Sequence, residues 1–243
     1  MLRDHFTEHG YVRLPGAFAE LADALAATLW AVLERRHGIV AHDPSTWTLT
    51  EPRGLAARGH FDAVGTPAVR AAIEKLTGVR DPHPFSWGDP LVTFPSPCRW
   101  DVPTGGWHLD FPARSALRLK WLGYLAPVPA GGGGTVVLAG SHRLVAAHLR
   151  ELDPADPGRS PAVRAAVLGA HPWLRAIGRP GEPADRIAEL MTRGARVSDV
   201  DVRVVELTGE PGDVVFLHPH LFHAPAANRS TTPRLMITGG LAG

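Results

Sequence analysis

With 26 glycines and 23 prolines among 243 residues, this chain cannot be built from a few long uninterrupted elements. The two residue types are scattered along the chain and do not form low-complexity tracts, so they act as turn signals between short segments. Between them the apolar pattern changes character along the chain. Residues 18–36 place Leu21, Leu25, Leu29, Val32 and Leu33 on one stripe at helical spacing, and Gly38 marks a stop. Thr66-Pro67 pairs a cap with a proline at the first helical position, which predicts a second helix running to Gly78.

From about residue 90 the texture is that of strands. LVTFP (91–95), WHLDF (107–111) and the alternating LRLKWLGYL (117–125) follow one another, and a glycine turn then leads into a short apolar strand within 131–143. Residues 144–200 read as helical and irregular, with starts at Ser160-Pro161 and Pro183. Strands resume at 202–207 and 213–218, which flank the turn signal GEPG as a hairpin would, and the last runs over 234–241. Closely spaced strands with glycine and proline turns predict a mainly β fold with flanking helices, a sandwich or barrel. The expected organisation is one domain over 1–243. Residues 1–89 form a mainly helical N-terminal part, 90–143 and 200–243 supply the strands, and 144–199 are a helical insertion, read as a lid over the site or as a peripheral insertion.

Composition narrows the function. A net charge of +1 gives no field that favours nucleic acid or a membrane surface. The first ten residues lack the apolar core of a secretory signal, and no apolar run approaches the length of a membrane span. Cys98 stands alone, which excludes an intrachain disulfide and fits a cytoplasmic setting. There is no strand–GxGxxG–helix unit and no GxxxxGK[ST] loop, which argues against a nucleotide fold.

Two His-x-Asp triplets carry metal-binding potential: His60-Phe61-Asp62 and His108-Leu109-Asp110. In a strand this spacing puts both side chains on one face, where they can grip a single ion. The bare triplet is weak, since chance supplies about 0.7 matches in a chain of this composition. His60 precedes a helix, and Asp62 and Thr66 read as turn or cap residues. His108 follows a glycine turn, lies between aromatic residues and leads into the strand-rich half, so His108 and Asp110 are the favoured pair. A distal histidine is needed as well, and His218, His220 and His223 compete for that place.

Residues 212–234, GDVVFLHPHLFHAPAANRSTTPR, resemble the distal-histidine signature of the phytanoyl-CoA dioxygenase family. The matching positions are Gly212-Asp213, the apolar strand Val214 to Leu217, His218, Leu221-Phe222-His223, Asn228-x-Ser230 and Arg234. Trp107-His108-Leu109-Asp110 resembles the same family, as do Gly133-Gly134-Thr135 and Gly140-Ser141-His142-Arg143. The resemblance covers roughly 90–143 and 200–240, in the right order, and does not extend to 144–200.

The resemblance implies a double-stranded β-helix, a cupin-like jelly roll. It implies Fe(II) held by His108, Asp110 and His223, with 2-oxoglutarate and O2 as cosubstrates. Arg234 takes the distal carboxylate of 2-oxoglutarate, assisted by Ser230. Fe(II), Asp110, 2-oxoglutarate and Arg234 together are electrically neutral, as a partly desolvated pocket requires. The reaction implied is oxidation, read as hydroxylation, of a small organic metabolite with formation of succinate. Halogenating relatives lack the carboxylate that Asp110 provides. Trp121 either lines the cosubstrate pocket or is plain core, and Lys120, on the other face, reads as a solvated strand residue. Trp107, Phe111 and Arg99 are candidate substrate contacts, with packing as the competing role. His218 and His142 read as structural. Two other functions remain open on the sequence: a cupin-type metal dioxygenase that does not use 2-oxoglutarate, and a non-catalytic jelly-roll binding protein.

Overall fold

The computed structural model describes residues 2–55 and 59–243. In chain order the helices and strands are α1 (Leu2–His9), β1 (Tyr11–Leu14), α2 (Ala19–His37), α3 (Pro67–Thr77), β2 (Ser86–Thr93), β3 (Leu117–Tyr124) and β4 (Val136–Ala139). Then come α4 (Ser141–Glu151), α5 (Ser160–Gly169), α6 (Pro172–Ile177), α7 (Pro183–Ile187), β5 (Ala195–Val197), β6 (Val200–Glu206), β7 (Val214–Leu217), β8 (His223–Ala224) and β9 (Arg234–Ala242). The signals read from the sequence explain the long helices. Gly38 closes α2 at φ 66°, a left-handed conformation that suits glycine. The Thr66 hydroxyl accepts from the Val69 N–H at the start of α3.

The strands form two antiparallel sheets, one ordered β1-β7-β3-β9-β2 and the other β5-β6-β4-β8. This is a jelly roll with flanking helices. One expectation fails within it. GEPG does not close a hairpin, because β6 and β7 belong to different sheets. The chain crosses between layers there, held by a bridge between Val128 and Gly209. Residues 107–111 likewise form no strand, only the isolated bridge of His108 with His223.

Three apolar layers follow from this architecture. Leu122, Tyr124, Val137, Val215, Leu217 and Met236 fill the space between the sheets. α2 and α3 cover the outer face of the five-stranded sheet, where Leu119, Trp121, Phe216 and Ile237 meet Leu29, Leu33 and Ile73. The helices of 141–187 cover the outer face of the four-stranded sheet through Val145, Val163, Leu174 and Ile177 against Leu138, Val202 and Val204. From Trp121 to Tyr124, strand β3 is therefore buried on both faces. Its odd positions look to the helices and its even positions look between the sheets.

A histidine cluster fastens the amino terminus to this frame. His218 N–H donates to the Gly10 carbonyl, and a ring nitrogen of His142, Nε2, lies 2.9 Å from the Thr7 carbonyl. The His142 and His218 rings lie 5.0 Å apart. Burial, reinforced by the neighbouring charges of His142 and His220, pushes His218 down to about 3. Burial also lowers His142 and His220. These groups fold neutral with lowered pKa values. Their contribution is full above the unfolded value near 6.5 and is lost as pH falls below it, because only the unfolded chain takes up the protons. The melting temperature should therefore drop between pH 7 and 5. That drop should shrink in His218→Asn, which retains an acceptor for the His220 N–H. Thermal melts of both proteins across this range check the expectation.

Candidate metal centre

The loop carrying His108 and the short strand β8 create the site. His108 N–H donates to the His223 carbonyl at 3.0 Å, and His223 N–H donates back to the His108 carbonyl at 3.2 Å. This reciprocal pair sets the two rings 4.4 Å apart. Asp110, two residues on, turns its carboxylate toward both. Oδ1 is 3.6 Å from His108 Nε2 and 3.4 Å from His223 Nε2. One ligand atom from each of the three side chains lies within 4.8 Å of the others. It is the one such group of histidine, cysteine and carboxylate side chains among the described residues. His60 and Asp62 do not take part.

The tautomers are set for ligation. His108 Nδ1 faces the Gly106 carbonyl at 2.7 Å, and His223 Nδ1 faces the Leu221 carbonyl at 3.0 Å. A proton on each Nδ1 leaves both Nε2 lone pairs aimed at the common point. A cation already stands beside that point. Lys120 Nζ lies 2.7 Å from Asp110 Oδ2, 2.8 Å from Oδ1 and 3.2 Å from His223 Nε2, and its side chain is only 15% exposed. Three electron-pair donors around a buried ammonium group show that this spot accommodates positive charge.

The ionisation follows. Burial pushes the Asp110 carboxyl upward, but the close His108 and His223 rings and the charge of Lys120 outweigh it. The net shift is far below the usual carboxylate range. The nearby Asp110 carboxylate raises His108. Burial and Lys120 lower His223.

The triad lies in the wall of a cavity of about 560 Å³. Arg234 lines the same cavity, 6% exposed, and its Nη1 donates to the Gly133 carbonyl at 2.7 Å. Its Nε has no partner, and among the described residues the guanidinium has no ion-pair partner. A buried cation of this kind is strongly disfavoured unless an anion joins it. Burial accordingly lowers its pKa.

Several sequence expectations need correction. Lys120 is not a solvated residue but the ammonium group of the site. Trp121 does not line the cavity: it is fully buried on the helix-covered face, where Nε1 donates to the Trp87 carbonyl. Both outcomes have one cause: helices cover the apolar face of β3, and the polar face carries the site. Ser230 points away from the cavity. Its hydroxyl donates to Asn228 Oδ1 and the Thr232 carbonyl, so Asn-x-Ser is a turn scaffold, with Asn228 Nδ2 tied to the Thr93 carbonyl. Trp107 is core, donating to the Pro103 carbonyl, and Arg99 is an exposed partner of Glu182. Phe111 does stand beside the site. No described residue lining the cavity comes from 144–199. Residues 51–55 reach the cavity instead. Thr135, Asp89 and Thr238 also line it. Only Thr135 had a sequence signal, in the Gly133-Gly134-Thr135 block.

A search of curated proteins gives no significant match. The model of the phytanoyl-CoA dioxygenase family matches residues 106–236, more than half of the chain and all of the triad and Arg234. The chain belongs to the phytanoyl-CoA dioxygenase family. It is thereby an enzyme of the non-haem iron, 2-oxoglutarate-dependent class. Solved structures share the fold at low identity. The epimerase SnoN, crystallised with Fe3+, alpha-ketoglutarate and nogalamycin RO, is 22% identical, with 99% of this chain and 82% of that one covered at a TM-score of 0.57. The carbocyclase SnoK from nogalamycin biosynthesis is 20% identical, with the same coverage and TM-score. AviO1 from Streptomyces viridochromogenes Tue57 is 17% identical, with 100% and 93% covered at 0.56.

For a phytanoyl-CoA dioxygenase family member the Lys120 position has a measurable consequence. In Lys120→Met the metal-free protein should lose roughly 2–3 kcal/mol, somewhat below the cost of breaking a fully buried pair, because Asp110 keeps its histidine contacts. Divalent metal should restore the loss and bind more tightly than to the native chain, since no ammonium competes for His223. Denaturant melts with and without Mn(II), together with Mn(II) titration, check both.

Proposed function

We propose that this chain is an Fe(II)- and 2-oxoglutarate-dependent dioxygenase that hydroxylates a small organic molecule. One observation carries the reading. A single cavity holds both a three-donor metal centre and a buried arginine that has no ion-pair partner among the described residues. His108, Asp110 and His223 would hold the metal, leaving the cavity side open to a chelating cosubstrate and oxygen. When bound, Fe(II) supplies oxygen activation coupled to decarboxylation of 2-oxoglutarate to succinate.

The protein's own residues do the rest. The Nδ1 contacts to Gly106 and Leu221 orient the two imidazoles. Arg234 would take the distal carboxylate of 2-oxoglutarate as a charge-assisted pair, with the neighbouring Thr135 hydroxyl as a further donor. Lys120 and the metal cannot both use His223 Nε2, so the lysine must release it while Asp110 serves both cations. Lys120 also revises the sum of charges to +1 for metal, cosubstrate, Asp110, Arg234 and Lys120. Asp89, which lines the same cavity, restores neutrality.

Hydroxylation is favoured because Asp110 retains the carboxylate that a halide would have to replace. The solved relatives include an epimerase, a carbocyclase and the monooxygenase ThoJ, so one fold serves several oxidative outcomes. The cupin-type alternative gives Arg234 no counterion.

Anaerobic addition of Fe(II) and 2-oxoglutarate should produce a weak visible charge-transfer absorption that is lost in His108→Ala and His223→Ala. Arg234→Ala should weaken 2-oxoglutarate binding by roughly thirtyfold or more, about 2 kcal/mol, and leave Mn(II) affinity nearly unchanged. Equal 2-oxoglutarate affinity in the variant would reject the cosubstrate assignment. Metal loading should fall with pH starting from above the ordinary histidine value, because a ligating imidazole must be neutral and the Asp110 carboxylate favours the proton on His108.

A further inference from the structure

Among the described residues four large hydrophobic side chains are exposed, and the two aromatic ones stand together beside the metal centre. They are Phe85, 60% exposed, and Phe111, 47% exposed. Their rings lie 6.5 Å apart, edge to face at 80°. Neither position is accidental. Phe85 N–H donates to the Gly240 carbonyl, and its ring covers Gly240 so closely that a Cβ there would come within 2.5 Å of it. Phe111 follows the proposed ligand Asp110 directly, so the loop that sets the metal centre also sets this ring.

The pair borders a hollow of about 240 Å³ that opens into the site. Leu117, Gly239 and Gly240 line its apolar side, and Asp89, Asp110, Lys120 and Thr238 line its polar end. A second hollow of about 300 Å³ continues past the rings along Ala116, Leu117 and Ala242. Exposed apolar surface gathered at one place marks a binding site, whereas scattered single residues do not. A hollow below roughly 300 Å³ takes part of a ligand, such as one or two fused rings. The two phenylalanines are too close to sandwich a ring. They form a corner, where a ring stacks on one and meets the edge of the other.

Charge narrows the class. The described charged residues lining the cavity and the hollow are Glu51, Asp89 and Asp110 against Arg53, Lys120 and Arg234. A divalent metal and 2-oxoglutarate cancel each other, so the filled site leaves no charge for a substrate to neutralise. We propose that Phe85 and Phe111 form the ring-binding subsite for an uncharged, oxygen-bearing ring compound, whose hydroxyl or carbonyl meets Asp89, Lys120 or Thr238 beside the metal. The inference rests on the oxygenase reading of the same centre.

A neutral fused-ring alcohol, 2-naphthol, serves as the probe. With Zn(II) and 2-oxoglutarate present, saturation-transfer NMR should show it bound. Replacing Zn(II) with Mn(II) should broaden its proton lines, most strongly beside the hydroxyl. Phe85→Ala and Phe111→Ala should each weaken binding by about fivefold or more, and naphthalene-2-carboxylate should bind the native chain at least about tenfold more weakly than 2-naphthol. Unchanged affinity in both variants, absence of Mn(II) broadening or equal binding of the carboxylate would overturn the subsite. The Fe(II)–2-oxoglutarate absorption, followed in the same proteins, separates the two readings. If it persists while the probe criteria fail, only the subsite is lost. If it is absent from the native chain, the oxygenase reading itself fails.

Discussion

Two backbone hydrogen bonds between His108 and His223 hold the whole site in register. Neither residue lies in a long strand. His108, in a loop, meets His223, in the two-residue strand β8, and the reciprocal bonds turn that touch into a fixed distance between imidazoles. Everything else is arranged around this bridge. The His-x-Asp spacing brings Asp110 to the same point, and β9 carries Arg234 into the same cavity. The cross-layer passage from β6 to β7 delivers the chain to the turn before His223. Strength comes from the three apolar layers. The bridge supplies position.

The electrostatics of the metal-free protein follow from crowding one carboxylate and two imidazoles into a partly buried corner. Such a corner needs a cation, and Lys120 supplies one from the middle of β3. The lysine makes the site a competition between an internal ammonium and an external metal. Arg234 presents the complementary case, a buried cation with no ion-pair partner among the described residues and a cavity beside it where an anion fits. Within one cavity, the carboxylate-rich end selects positive charge and the arginine end selects negative charge.

Much of this was legible in the sequence. The helix over 18–36 showed its stripe and its glycine stop, and the distal block ending at Arg234 stated its resemblance over enough positions to favour His223 over His218 and His220. What the sequence hid was sidedness. Period-two alternation in 117–125 separates two faces without saying which one points between the sheets. Here the apolar face of β3 is covered by α2 and α3, so Trp121 went to the core and Lys120 to the site. Ser230 misled for a related reason: a hydroxyl near a functional arginine reads as a ligand, but Asn228 had already claimed it for the turn. Contributions from Asp89, Thr238 and residues 51–55 carried no motif at all, since only the packing of loops around the mouth brings them in. The GEPG turn looked like a hairpin because local chemistry cannot report a change of sheet.

The central claim is that one divalent cation sits between His108, Asp110 and His223. Anomalous scattering from a crystal of the chain loaded with Mn(II) tests it most directly. The account predicts a single strong peak about 2.1–2.2 Å from one atom of each of the three side chains, with Lys120 Nζ withdrawn from His223. A peak lodged instead among His142, His218 and His220, or no peak beside an undisturbed Lys120–Asp110 pair, would contradict it.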